Sequence, residues 1–459
     1  MNVFRYLKLQ PFDGATPEGR AAERYRLAAW AILANVGSKA ASLAVMVLSV
    51  SFTLPYLGAQ RFGIWMTIAS FSGMLTFLGM GVGNALTNLV AKRSAAADLQ
   101  SVRRTISGGL GLLFLVGLAV AGGLHVLVDW LPWSRLIKVT DPVFLLEAQQ
   151  TGKIFAILFG LNLFTTGIQS VFAGLQRSFE VHLVSAMGAV LALGALWFAV
   201  QEQAGLQELL LATLGVQTAA SLTLLVLLVR RGLLTLVRMR FAIQSEASGL
   251  LQTGGLFFVL QIGTMVGWGS DALIISSTLG PASVAIYSVA VRLFQFVTQP
   301  LAIMNAPLWG AYVDAHAKGD VRFILRTLKA SVLLTVGVAS LAGLLLFAIG
   351  PWVLSYWTQD AIVVPPLLLG LVAVWTVFDS CGAALGMFLN GLHIVRQQVI
   401  VVTIFCTLVL PLKILGVGQI GLIAIPLATI TVYAVTHVLF YGFVFLPQIR
   451  SRLTGISAI

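Results

Sequence analysis

The sequence predicts an all-α integral membrane protein, with about twelve transmembrane helices in two parallel six-helix bundles around a central cavity. Three observations predict it. Apolar residues make up 58% of the chain and charged residues only 10%. The charges gather in short clusters, and the apolar stretches between them are long enough to cross a bilayer as helices. The second half of the chain also echoes the first at a shift of 222 residues.

The elements follow in order. Residues 1–30 carry mixed charge and precede an apolar run that continues through Leu54, so they read as a cytoplasmic segment and not as a cleavable signal. The N-terminal bundle covers 31–230, with spans at 31–55, 62–90, 105–128, 153–174, 182–200 and 207–229. An Arg-rich cytoplasmic linker, 231–250, joins the bundles. The C-terminal bundle covers 251–448, with spans at 252–279, 283–312, 329–350, 362–390, 398–416 and 420–446. Residues 449–459 form a cytoplasmic tail. The polar segments at the N-terminus, 129–152 and 231–250 are each too short to bury a core of their own.

The net charge of +12 describes topology rather than a nucleic-acid partner. With both termini in the cytoplasm, 21 basic residues fall on the cytoplasmic side and 5 on the outer side, namely Arg61, Arg135, Lys138, Lys153 and Lys413. Lys39 and Arg292 lie within spans. That asymmetry is a positive-inside signal, and it requires an even number of spans.

Under the 222-residue shift, Leu57-Gly58 falls on Leu279-Gly280, Ile64-Trp65 on Ile286-Tyr287, Asp98 on Asp320 and Arg104-Thr105 on Arg326-Thr327. Six spans per half give both halves the same orientation, with a substrate path between them.

Polar groups in hydrocarbon face protein or water, and their spacing shows the face. Asn35, Lys39, Ser42, Met46, Ser49 and Thr53 alternate steps of four and three, which is one helix face. The second span repeats this with Thr67, Ser70, Met74, Phe77, Gly81, Asn84 and Asn88, and the fourth with Asn162, Thr166, Gln169, Ala173 and Gln176. The seventh gives Gln261, Thr264, Trp268, Asp271 and Thr278. The eighth gives Ser288, Arg292, Gln295 and Gln299, and the tenth Asp379, Gly382, Gly386 and Asn390. The third, fifth, sixth and ninth spans are nearly free of strong polar groups. The split separates inner helices that line a hydrated cavity from outer helices that face lipid, although seams of interhelical hydrogen bonds would leave a similar trace.

Cavity candidates are therefore Lys39, Asn84, Asn88, Gln169, Trp268, Arg292, Gln295 and Asn390. Asp271 and Asp379 are the candidates for coupling or gating, and Pro300, inside the eighth span, is a candidate bending point. Asp271 lies ten residues before the turn at Pro281 and Arg292 eleven after it, which puts them at similar depth. A structural ion pair and a pair that opens during transport are both open readings. Asp379 has no cation at its depth and is the expected proton carrier.

Several chemistries are excluded. Cys381 and Cys406 both lie in apolar runs, which fits neither a disulfide framework nor a zinc site. The five histidines are scattered, so no metal site is expected. Gly79-Met80-Gly81-Val82-Gly83 sits inside a span with no strand before it and reads as helix packing. There is no phosphate-binding P-loop, and no catalytic residue or bound cofactor is expected.

The stretch from Leu54 to Trp65, Leu-Pro-Tyr-Leu-Gly-Ala-Gln-Arg-Phe-Gly-Ile-Trp, followed by Gly81-Val82-Gly83-Asn84-Ala85-Leu86, resembles the first hairpin of bacterial polysaccharide flippases. Asp271-Ala272-Leu273-Ile274-Ile275, Leu279-Gly280 and Ile286-Tyr287-Ser288-Val289-Ala290 are similar to that family's seventh and eighth spans. These proteins export O-antigen or exopolysaccharide repeat units and share a superfamily with multidrug and toxin extrusion transporters. The resemblance implies a monomer in the bacterial inner membrane that is not an enzyme. Its bundles alternate between inward-open and outward-open states. The implied cargo is an undecaprenyl-diphosphate-linked oligosaccharide, moved to the outer leaflet with H+ or Na+ coupling. Membrane lipids, a polysaccharide polymerase and a chain-length regulator are the implied partners. Lys39 and Arg292 would attract the diphosphate. Two other readings stay open: a multidrug exporter of the same superfamily, and an integral polymerase or ligase of the same pathway.

Overall fold

The computed structural model describes residues 17–95, 98–234, 267, 269–392 and 394–439. Among them every regular element is helical. In chain order these are α1 (Pro17–Ala95), α2 (Leu99–Trp130), α3 (Trp133–Leu136), α4 (Pro142–Gly174) and α5 (Ser178–Gln201). Helix α6 (Leu206–Leu210) passes through one π-helical turn into α7 (Val216–Arg230). Then come α8 (Asp271–Leu279), α9 (Pro281–Ala317), α10 (Val321–Thr358), α11 (Pro366–Gly391), α12 (Val395–Ile420) and α13 (Ala424–Tyr433).

Nine helical stretches of the described residues are long and apolar enough to cross a membrane. Two of them are broken by a glycine of positive φ: Leu33–Ser70, which is part of α1, at Gly58, and Gln397–His437 at Gly421, so that helix continues on each side of the break. With α8, the described end of the seventh predicted span, this is a helical membrane fold of about twelve helices.

The 222-residue repeat reappears as backbone geometry. Gly58 has φ 67° and ψ 168°, and Gly280 has φ 92° and ψ 169°. Only glycine adopts that region without strain, so one residue type ends the first helix of each hairpin in the same way. Asp98 and Asp320 cap α2 and α10 alike, their carboxylates accepting from the Ser101 and Phe323 amides at 3.0 and 2.9 Å. Hydrogen bonds from Ser101 hold the Asp98 carboxyl below the usual carboxylate range. Lys138 and Asp360, also 222 apart, both have positive φ, 48° and 58°. Trp130 and Trp352, a fourth such pair, stand exposed at the ends of α2 and the apolar part of α10, where interfacial tryptophans sit.

Among the helices that hold a single predicted span, two outrun it the furthest. The sequence places the fourth span at 153–174 and a polar segment at 129–152, but α4 starts at Pro142. Its first turn, 143–146, is apolar, and side-chain bonds hold the polar turns from Glu147 to Lys153 that follow. Lys153 pairs with Asp129 at 2.7 Å, and Glu147 Oε1 accepts from the Leu206 amide at 3.0 Å. Helix α10 likewise runs from Val321 to Thr358, well past 329–350.

The chain forms two compact units. The described residues of the first lie within 1–52, 74–131 and 146–258. Its core gathers Leu86, Ile106, Leu110, Phe172, Leu224 and Leu228. Helices α2 and α4 meet at bare backbone: a Cβ on Gly117 would lie 2.5 Å from the Gly160 carbonyl oxygen. Glu180 is buried between Arg177 (2.5 Å) and Arg231 (2.9 Å), which ties the end of α7 to the start of α5.

The described residues of the second unit lie within 53–73, 132–145 and 259–459. One core cluster gathers Tyr312, Ile324, Phe388 and Leu392, and another Phe405, Val409, Val432 and Tyr433. Two short early segments belong to it through specific contacts. A Cβ on Gly63 would lie 1.7 Å from the Pro281 carbonyl oxygen, so only glycine fits there. Lys138 Nζ donates to the Thr278 carbonyl at 2.6 Å, capping the C-terminal end of α8 with a cation.

Burial follows the polar stripes. The spans in α2, α5, α6–α7 and α10, read as lipid-facing, are 22, 28, 22 and 17% buried, against 56% for α4 and 44% for α9. The first hairpin departs from this, at 28% despite its stripe.

Candidate functional site

The most developed polar constellation inside the second unit joins α8, α9 and α12. Lys413 Nζ lies 2.6 Å from Asp271 Oδ1 and donates to the Gly267 carbonyl at 2.9 Å. The Tyr287 hydroxyl donates to Asp271 Oδ2 at 2.9 Å. The Lys413 side chain is 0% exposed and that of Asp271 14%. Both carboxylate oxygens thus have charged or hydroxyl partners, as a buried charge requires.

Local sequence makes the meeting possible. A Cβ on Gly267 would lie 3.0 Å from Cys406 Sγ and 3.1 Å from the Phe405 ring, so α12 packs on unadorned backbone there. Ser270 lies in a turn just before α8, which opens with Asp271. Gly280 and Pro281 then reverse the chain and return Tyr287 to the depth of Asp271.

This corrects the expectation that Asp271 pairs with Arg292. Its cation is Lys413, which the charge count places in an outer loop and which instead lies inside α12, fully buried. The available signal was the rule that an intramembrane cation needs a partner, since Lys413 interrupts an otherwise apolar run.

Arg292 lies five residues beyond Tyr287 on α9 and is half-buried. It contacts Met66 Sδ at 3.3 Å and has no carboxylate partner among the described residues. Asp379, on α11, is exposed, and no described residue hydrogen-bonds its carboxylate. Asn390 Oδ1 accepts from Gln398 at 2.9 Å, Gln295 is half-buried, and Pro300 lies exposed within α9. In the first unit, Lys39 and Asn88 are exposed, and Gln169 reaches Ser221 at 3.4 Å. The side chains of Asn84 and Trp268 lie outside the described residues. The structure therefore joins Asp271 to Tyr287 and Lys413, two residues absent from the predicted set, and places Lys39, Asn88 and Gln169 in the other unit.

Next to α11 stands an aromatic cluster. The Tyr433 ring stacks on His437 at 3.9 Å and meets Trp375 edge-on at 5.4 Å. Its hydroxyl oxygen occupies the space beside Gly382, 2.0 Å from where a Cβ would be.

Residues 26–309 match a family described as polysaccharide biosynthesis protein. Among solved structures, the chain is similar to the inward-facing form of a multidrug resistance MATE family transporter of the MOP superfamily. The TM-score is 0.75 at 14% identity, covering 91% of this chain and 96% of the other. It is also similar to a MATE protein in the straight conformation (TM-score 0.65, 14% identity, 99% of each chain). A third similar structure is a MOP superfamily transporter from Pyrococcus furiosus, described by the reverse polarity of its binding pocket (TM-score 0.60, 16% identity, 91 and 96% covered). No curated protein sequence matches the chain. At these identities the likeness is one of fold.

Proposed function

The chain belongs to the polysaccharide biosynthesis protein family, and from that premise we propose that it is a flippase for lipid-linked oligosaccharides. Its cargo is an undecaprenyl-diphosphate-linked repeat unit, carried by alternating access from the cytoplasmic to the outer leaflet of a bacterial inner membrane. Both termini face the cytoplasm. One observation carries the reading: Arg292 is a permanent cation inside a membrane helix with no carboxylate partner among the described residues. A guanidinium left without an anion in that setting suits the diphosphate, which it can grip through paired hydrogen bonds. Lys39, exposed on the first span, adds a second cation. Gln169, Gln295, Asn390, Asn84, Asn88 and Trp268 are the residue types that suit sugars.

Coupling falls to Asp379. Its carboxylate has no described partner, so it is the group free to bind and release a proton during the cycle. Downstream, a polymerase and a chain-length regulator would consume the product. A second reading, export of cationic small molecules, is favoured by the fold shared with multidrug MATE transporters.

Reconstituted vesicles with a fluorescent lipid-diphosphate oligosaccharide test both parts. Arg292→Ala should cut flipping at least tenfold while the protein still inserts. Asp379→Asn should abolish the response to a pH gradient. Unchanged flipping in Arg292→Ala, or transport of cationic dyes that the same substitution improves, would favour the second reading.

A further inference from the structure

The ammonium of Lys413 has the surroundings of a bound monovalent cation. It is wholly buried and held by one carboxylate oxygen, Asp271 Oδ1, and one backbone carbonyl, that of Gly267. The carboxylate is fixed from its other side by the Tyr287 hydroxyl, so the oxygens are arranged before any ion arrives. A Na+ or K+ that has shed water would find here a full negative charge and a carbonyl oxygen in place of its hydration shell. The side chain of Lys413 fills that place through a tether that cannot diffuse away.

We propose that Lys413 is a resident cation that occupies an oxygen site on span seven and closes it to free monovalent ions. The carboxylate at Asp271 is then committed internally, and ion coupling is left to the carboxylate at Asp379. The inference deepens the cation-coupled reading above and rests on it. Its test reads ion binding to the purified protein and needs no cargo, so its failure and the failure of the flippase reading are distinguishable.

The experiment compares full-length wild type, Lys413→Ala and the double variant Asp271→Asn/Lys413→Ala. Thermal unfolding is measured in NaCl, KCl and choline chloride at equal ionic strength. Wild type should melt at one temperature in all three salts. Lys413→Ala should gain about 3 °C in NaCl or KCl over choline at ion concentrations well above its dissociation constant, and the double variant should lose that gain. Equal melting of Lys413→Ala in all three salts would overturn the proposal. So would an Na+-dependent rise in wild type that Asp271→Asn removes, because the site would then admit a free ion beside Lys413. Should Lys413→Ala fold in no salt, Lys413→Gln replaces it under the same criterion, and the wild-type arm decides independently of both.

Discussion

Two hairpins of this molecule share a backbone and differ in chemistry. One turns at Gly58 and the other at Gly280, with nearly the same ψ and positive φ. Yet where the second carries Asp271, Tyr287 and Arg292, the first carries Ser49, Trp65 and Ser70, each 222 residues earlier. Ser49 and Ser70 hydroxyls donate to carbonyls of their own helix, at Met46 and Thr67. Asp271 instead needs groups from two other helices. The two hairpins share the turn that shapes them, and at these matched positions the second carries the charges Asp271 and Arg292 where the first carries serines.

The largest difference should appear on neutralising one side of the ion pair. Lys413→Met leaves Asp271 buried without its counter-charge and should cost about 3–5 kcal/mol of stability, measured by unfolding in detergent. Asp271→Leu combined with Lys413→Met should recover most of that, because two apolar groups replace both charges. Ser49→Ala, at the matching position of the first hairpin, should cost under about 1 kcal/mol. A comparable loss from Ser49→Ala would break the contrast.

The glycines come next and should behave alike. Gly58→Ala and Gly280→Ala each place a Cβ in a glycine-only region and should each cost about 1–3 kcal/mol. A large inequality between them would show that the two turns do not bear the same constraint.

The smallest effect concerns the matched caps. Asp98→Ala and Asp320→Ala should each fray one helix start slightly, seen as faster amide exchange over the first turns of α2 and α10. Because the folded carboxyl of Asp98 sits below its ordinary range, its contribution is present above that range and is lost as the pH falls through the lowered value. Exchange at the start of α2 should therefore rise below about pH 4.

Much of the fold was legible because a bilayer imposes length and apolarity on every span, and glycines mark the turns. The four weakly polar spans could be read as lipid-facing for the same reason. The start of α4 was not legible: polar residues from Glu147 to Lys153 separate its apolar first turn from the span, and bonds to Asp129 and Leu206 from other helices hold that part. The partner of Asp271 was hidden by distance along the chain, since Lys413 is 142 residues away and its helix face is fixed only by packing. Depth alone favoured Arg292, and depth does not give rotation about the helix axis.

The seat of Gly63 on the Pro281 carbonyl bears on how the protein is made. The ribosome reaches Pro281 roughly 220 residues after Gly63, a delay of about 10–40 s at ordinary synthesis rates. Throughout that interval the segment 53–73 has no docking surface from its own unit, and neither does Lys138, whose acceptor Thr278 comes equally late. The N-terminal half cannot reach its final packing on its own. Cutting the gene at the linker would separate these two segments from the unit they complete, and the two products would have to be synthesised together to restore it.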